Sequence, residues 1–120
     1  MKNTKQRGIV HFRVFKWNGR YLGICKELGF VEEAENSQKV KQKLISGTIA
    51  VLKAVLKSSE NLEPSLNTSP PLKYAIYYHI APLLVMIESI KDILNSKNTS
   101  SGNYEFFEKS ISSLKLSHNV

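Results

Sequence analysis

Cysteine, aspartate and histidine are scarce in this sequence: its 120 residues include one cysteine, one aspartate and three histidines. A single cysteine excludes an internal disulfide and a zinc site made of several thiolates. The histidines stand at positions 11, 79 and 118, and none has a neighbour at the spacing of metal ligands. A glycine-rich phosphate loop and a nucleophile paired with a base are also missing. The sequence therefore predicts a protein that is not an enzyme and needs no cofactor and no metal.

Two of these scarce residues have a predicted structural role. Cys25 stands in an apolar stretch, where burial makes a thiol inert. His79 stands among Tyr77, Tyr78 and Ile80. We expect Cys25 to be a buried, unreactive thiol and His79 to be a packed histidine that forms hydrogen bonds.

Long apolar runs are absent as well. The stretch from Tyr74 to Ile87 is apolar or aromatic apart from His79, and it has fourteen residues. As a helix it would cover about 21 Å, against the roughly 30 Å of a bilayer's hydrocarbon core. No apolar signal-peptide segment follows the polar N-terminus. We therefore expect a cytoplasmic protein that does not have a membrane as its partner.

Basic residues are concentrated in the first half of the chain. Residues 1–57 contain twelve Lys and Arg against four Asp and Glu, net +8; residues 58–120 contain five against six, net −1. Such asymmetry indicates a polyanion or an acidic partner, although basic charge also serves solubility. Residues 1–8 form either a basic N-terminal arm or a frayed terminus. Its candidate binding residues are Lys2, Lys5 and Arg7.

Three short strands are predicted next. Residues 9–16 alternate between two faces, as a strand does. An Asn18-Gly19 pair then predicts a tight hairpin turn, because both central positions of that turn need a positive φ. Residues 21–25 form the return strand and residues 30–35 a third, more polar strand. The fold therefore begins with an antiparallel meander.

A long helix follows the meander. Ser37 is the expected N-cap, and helical periodicity continues to Lys57. The apolar face is broader than packing on three strands requires, so we expect it to contact another helix or a second subunit as well. Gly23 in the second strand and Gly47 in this helix suggest close approach of neighbouring groups, with a bulge as the alternative at Gly23.

The same helix has a basic face. At 100° per residue, four of its five lysines project opposite the apolar stripe, and no acid stands between residues 38 and 59 to compensate them. This face is either an ordinary solvated surface or a binding surface for nucleic acid or an acidic partner. The candidate residues are Lys39, Lys43, Lys53 and Lys57.

The C-terminal half is predicted to be helical. Residues 59–71 are a polar, proline-containing linker. A helix over residues 72–96, kinked near Pro82, is predicted by an apolar stripe with spacings of 4, 3, 4, 3 and 4: Ile76, Ile80, Leu83, Ile87, Ile90 and Leu94. A fourth strand at 74–80 followed by a helix from Pro82 is the alternative. After a polar break, residues 104–116 are predicted to form one short final helix.

Residues 19–31 read Gly-Arg-Tyr-Leu-Gly-Ile-Cys-Lys-Glu-Leu-Gly-Phe-Val. This stretch resembles the G-x-Y-x-A-x-C-P-E-L-x-x-V pattern of the HicB-like antitoxin family, with Gly23 in place of the usual Ala and Lys26 in place of Pro. The resemblance covers about residues 9–57. Residues 34–40 depart from the family's usual helix start, and residues 58–120 match neither its helix-turn-helix nor its ribbon-helix-helix segment.

The resemblance implies a fold as well as partners. The expected fold is α+β: a three-stranded antiparallel meander with a long helix packed across it, HicB-like and similar to a partial RNase H or double-stranded-RNA-binding domain, then a kinked helix and a short C-terminal helix. RNase H-type activity is not expected, since the first strand offers Arg13 and Lys16 and no acidic metal ligand. The predicted organisation is an arm (1–8), a HicB-like β-β-β-α domain (9–58), a linker (59–71) and a helical extension (72–120).

Two functions are predicted. The first is a non-catalytic binding module, dimeric, that acts through protein–protein contact; the resemblance implies neutralisation of a small RNase toxin. The alternative is a nucleic-acid-binding protein in which lysines contact the phosphates of DNA or RNA.

Overall fold

The computed structural model describes Asn3 and residues 8–57, 66–94 and 104–117. In chain order, the elements are β1 (Ile9–Trp17), β2 (Arg20–Cys25), β3 (Val31–Ala34), α1 (Ser37–Lys57), α2 (Leu72–Leu94), β4 (Tyr104–Ser110) and α3 (Ile111–Ser117). The class is α+β, as the sequence predicts.

The four strands form one antiparallel sheet in the order β3-β2-β1-β4. The predicted meander is confirmed, and the hairpin turn lies where the Asn-Gly pair places it. Asn18 has a φ of 54° and Gly19 a φ of 79°, and Trp17 pairs with Arg20 across the turn. These positive φ values match the right-handed twist of the flanking strands, so the turn fixes the register of β1 on β2.

The fourth strand is a correction to the predicted fold. The sequence predicts that residues 104–110 begin a helix, but they form β4, which pairs with β1 from Ile9–Ser110 to Phe15–Tyr104. The helix predicted there begins only at Ile111, as α3. Tyr and Phe favour strands, and β1 offers an unpaired edge to a strand from the other end of the chain. The C-terminal half is therefore not wholly helical.

Helix α1 begins one residue before the predicted start, ends at Lys57 as predicted and covers one face of the sheet. Its cap is Asn36 and not Ser37 as predicted: the Lys39 N–H donates to Asn36 Oδ1 at 2.8 Å. Gly23 lies directly beneath the helix, where a Cβ would collide with the side chains of Val40 and Leu44. The core on this face consists of residues from β1, β2, β3, α1 and α3, among them Val10, Phe12, Val14, Cys25, Ala34, Val40, Leu44, Val55, Ile111 and Leu114.

Helix α2 covers the opposite face of the sheet. The predicted helix is confirmed from Leu72 to Leu94, and the alternative of a strand at 74–80 is wrong. Pro82 lies inside the helix, and a kink there stays a prediction. Phe15, Leu22 and Ile24 of the sheet pack with Tyr78, Ala81 and Leu84 of the helix. The sheet is thus covered by helices on both faces.

The segment before α2 is tied to the N-terminal part of the chain. Leu66 is fully buried, and Asn3 is buried beside it. The Asn3 side-chain amide donates to the Leu66 carbonyl oxygen at 3.1 Å, and Asn3 Oδ1 accepts from the Ile9 N–H at 2.9 Å. One residue of the predicted N-terminal arm is therefore part of the packed structure. Residues 58–65 of the predicted linker region lie outside the described residues.

Candidate binding surface

The outward side of α2 has a row of exposed apolar side chains, here called the outer stripe. At 100° per residue, its members fall within an arc of about 80°, opposite the inward-facing Tyr78, Ala81 and Leu84. Their exposed fractions range from 48% to 77%. A surface helix normally places polar residues on this side, so the stripe is an unusual surface for a single chain. It consists of Leu72, Ile76, Leu83, Met86, Ile90 and Leu94.

The lysine side chains of α2 lie beside the outer stripe and not within it. His79 is the polar residue within its arc. Lys73 and Lys91 lie on one flank, and their ammonium groups are held over aromatic rings: Lys73 Nζ is 5.5 Å from the Tyr74 ring centroid, and Lys91 Nζ is 5.1 Å from that of Trp17. Cation–π contacts of this kind favour a lysine lying along its own molecule. Apart from His79, the described side chains on the outward side of α2 are therefore apolar.

Polar contacts on the inner side fix which face of α2 points outward. Arg13 Nη1 of β1 donates to the Tyr78 carbonyl oxygen at 2.6 Å. Glu88 is buried, and its Oε1 accepts from the Asn18 N–H at 3.2 Å. Burial also raises the pKa of Tyr78, whose ring packs against the sheet. Rotation of the helix about its axis would break these contacts, so the outer stripe cannot simply turn into the core.

A second polar cluster lies where β1, β4 and the turn after β2 meet. His11 Nδ1 is 2.6 Å from Glu27 Oε2, and His11 Nε2 is 3.2 Å from Glu108 Oε2. Glu27 Oε1 also accepts from the His11 N–H at 2.7 Å. These contacts join three parts of the fold. Across the described ranges, no group of three or more His, Cys, Asp and Glu side chains is arranged to hold a metal ion.

The two residues with predicted structural roles have different outcomes. Cys25 is fully buried, as expected, and burial raises the pKa of its thiol to about 12; its low reactivity stays a prediction. His79 is exposed, so the expected packed position is wrong; its ring lies 5.7 Å from the Tyr78 centroid. A helical position three residues from an outward Ile76 and four from an outward Leu83 faces outward too.

The lysine face is the surface that the sequence predicts as a binding site. Lys39, Lys43, Lys53 and Lys57 are all exposed on the side of α1 opposite its buried residues. Lys43 Nζ donates to a backbone carbonyl, that of Glu33, at 3.4 Å. In the part of the chain that the structure describes, none of the four forms an ion pair with a carboxylate. The other candidates, Lys2, Lys5 and Arg7, lie outside the described residues.

Two cavities lie in the described part of the molecule. One of about 250 Å³ lies between the turn after β2 and the start of α2, and its lining includes Lys26, Glu27 and His79. Another, of about 150 Å³, lies beside Trp17 and Tyr77. Both are below the usual range of about 300–1,000 Å³ for small-molecule sites. Neither of these two cavities is therefore a typical small-molecule site.

Comparisons with known proteins give no further indication of function. No family model, no curated protein and no solved structure matches the chain. Within the described residues, no helix combines the length and the apolar character needed to cross a bilayer.

The sequence predicts part of this candidate surface. Ile76, Leu83, Ile90 and Leu94 belong to the predicted apolar stripe of α2, and the structure places them outward. Leu72 and Met86 complete the row. Both were detectable from the same helical period, since each lies four residues from a predicted member.

Proposed function

We propose that this chain is a non-catalytic binding protein that acts through protein–protein contact, with the outer stripe of α2 as its contact surface. The observation that carries the proposal is the exposure of six large apolar side chains in one row on a single helix. Contiguous exposed apolar surface of this kind marks interaction sites, and an amphipathic contact read at i, i+3, i+4 and i+7 is a common mode of helix recognition.

The proposal of a protein-binding function does not depend on a family assignment. The resemblance of residues 9–57 to HicB-like antitoxins makes a small RNase toxin one candidate partner. The β-β-β-α order of β1, β2, β3 and α1 agrees with that resemblance. A HicB-like protein needs a surface that binds its partner. The outer stripe can be that surface, and it is present whichever family the chain belongs to.

Photo-crosslinking in expressing cells tests this proposal. A photo-crosslinking amino acid replaces Leu83, in the outer stripe, and in a matched variant it replaces Lys53, on the lysine face. We expect polypeptide adducts from position 83 and none from position 53. Absence of any polypeptide adduct from position 83, in a protein whose circular dichroism shows it to be folded, would contradict the proposed function.

Nucleic-acid binding is a second candidate function. Four exposed lysines on one helix face, without carboxylate partners among the described residues, favour contact with phosphates. The same crosslinking experiment addresses this function, because it predicts nucleic-acid adducts from position 53. The two surfaces lie on opposite faces of the sheet, so one chain could use both.

A further inference from the structure

The spacing of the outward residues on α2 is symmetric about its centre. From Leu72 to Ile90, the arc contains residues 72, 76, 79, 83, 86 and 90, at intervals of 4, 3, 4, 3 and 4. These intervals are those of the a and d positions of a heptad repeat. They also read identically from either end, with the midpoint at residue 81. A second copy of the helix in the opposite direction therefore presents the same pattern in register.

We propose that the occupant of the outer stripe is a second copy of this chain, packed antiparallel through α2 about a two-fold axis near residue 81. This rests on the proposed function and names the partner for that surface. An isologous contact of this kind needs a self-complementary surface, in which residue i meets j and j meets i. The palindromic spacing supplies it: Leu72 meets the partner's Ile90, Ile76 meets the partner's Met86, and His79 meets the partner's Leu83.

His79 favours the antiparallel direction over the parallel one. In a parallel pair, equivalent positions face each other, so His79 would meet its own copy at the centre of the seam. In the antiparallel pair, each imidazole instead lies against a leucine, so the two histidines do not face each other in one layer. An exposed imidazole is compatible with such a position, since it is already outward in the single chain.

The charge of the seam also fits a second copy. The chain carries a net charge of +7, so two copies repel each other overall. A seam without lysine or arginine allows approach despite that charge. Dimerisation should therefore strengthen as salt is added, whereas binding to a polyanion weakens.

Sedimentation velocity and disulfide trapping of the purified full-length protein test the inference. Sedimentation is measured from about 1 µM to about 200 µM, a range that detects micromolar association. We expect dimers of the wild type, and a dissociation constant raised at least about tenfold in Ile76→Glu, because the new carboxylate is buried against an apolar partner. Leu56→Glu is the matched control: it alters an exposed leucine on α1, outside the outer stripe, and should leave the dimer intact.

Trapping tests the direction of the two helices. Leu72→Cys protein is mixed with Ile90→Cys protein under mild oxidation, and the buried Cys25 does not compete for the new thiols. The antiparallel seam predicts a mixed 72–90 disulfide. Predominant 72–72 disulfides would overturn the antiparallel seam. So would a monomer at every concentration, or equal dimerisation of Ile76→Glu and the wild type.

Self-association can be wrong while the proposed protein-binding function is right, and the two experiments distinguish these outcomes. If the purified chain is monomeric while position 83 crosslinks to a different polypeptide in cells, self-association is wrong and protein binding stands. Adducts of twice the 13.6 kDa chain mass agree with self-association. If position 83 gives no polypeptide adduct and the chain is monomeric, both are wrong.

Discussion

Arg13 of β1 and Tyr78 of α2 form a close polar link between the sheet and the helix. Arg13 Nη1 donates to the Tyr78 carbonyl oxygen at 2.6 Å, and the guanidinium carbon lies 4.4 Å from the Tyr78 ring centroid. The same guanidinium lies 4.8 Å from the Phe106 ring of β4. One side chain of an interior strand of the sheet thus contacts the helix above it and the strand beside it. Its position determines how α2 lies on the sheet.

Replacing Arg13 with Gln should destabilise the fold. The variant loses a charge-assisted hydrogen bond and two cation–π contacts, which together suggest about 2 kcal/mol less free energy of unfolding. Arg13→Lys should recover only part of this loss, because an ammonium lacks the planar fork that bonds the carbonyl while lying on the rings. Urea unfolding followed by circular dichroism measures both losses.

Arg20→Gln is the control for that measurement. Arg20 Nε lies 2.8 Å from Glu33 Oε1, but both side chains are about half exposed, so the pair contributes about 0.5 kcal/mol or less. Equal losses in Arg13→Gln and Arg20→Gln would show that the link to α2 contributes little to stability.

Gly23→Ala should also destabilise the protein, by about 1–3 kcal/mol. The added Cβ would lie 2.7 Å from Leu44 Cδ1 and even closer to Val40 Cγ1, and both side chains are fully buried. In a Val40→Ala background, the space opens and the same substitution should cost at least about 1 kcal/mol less. A double-mutant cycle by urea unfolding measures this difference. An equal cost in both backgrounds would mean that helix and sheet separate instead of clashing.

The two long helices were predictable from the sequence, whereas β4 was not. Helices α1 and α2 follow from periodicity because each runs for more than twenty residues. β4 does not follow from it. The adjacent Phe106 and Phe107 point to opposite faces and blur the alternation, and the strand's partner is at the other end of the chain. Pairing across such a separation leaves no local pattern in the sequence.

The candidate surface was predictable only in part for a similar reason. The apolar period of α2 identifies a stripe, but a helix with apolar residues on two sides has two possible inner faces. Tyr78, Ala81 and Leu84 form the inner face because two hydrogen bonds hold that side of the helix to the sheet. Arg13 donates to the Tyr78 carbonyl oxygen, and the Asn18 N–H donates to Glu88. Those partners come from β1 and the hairpin turn, so the choice of face requires the assembled sheet.

The buried Cys25 thiol predicts a loss of stability at alkaline pH. Burial raises its pKa from 9.0 to about 12, so the folded protein keeps the proton that the unfolded chain releases above pH 9. The unfolded state then binds fewer protons, and the free energy of unfolding falls as pH rises, by up to about 1.4 kcal/mol per unit. Below pH 9, the thiol adds no slope.

Cys25→Ala separates this effect from the titration of tyrosines and lysines. The variant loses stability at every pH because of the cavity, but its stability should fall less steeply between pH 9 and pH 11. Urea unfolding at a series of pH values gives both slopes. A native thiol that reacts with a thiol reagent at pH 8 as fast as the urea-unfolded chain would show that Cys25 is not shielded.

Nucleic-acid binding by the lysine face would depend on salt and on the charge of four side chains. If it binds DNA or RNA, affinity should fall steeply with salt, at close to one unit of log–log slope for each phosphate contacted. Replacing Lys39, Lys43, Lys53 and Lys57 with Glu should then abolish binding, because all four contacts become repulsive. Fluorescence anisotropy with a labelled duplex measures both effects. The control makes the same charge change elsewhere, at Lys26, Lys73, Lys91 and Lys109, all exposed and outside α1. Equal losses in the two variants would mean that net charge, and not this face, attracts the nucleic acid.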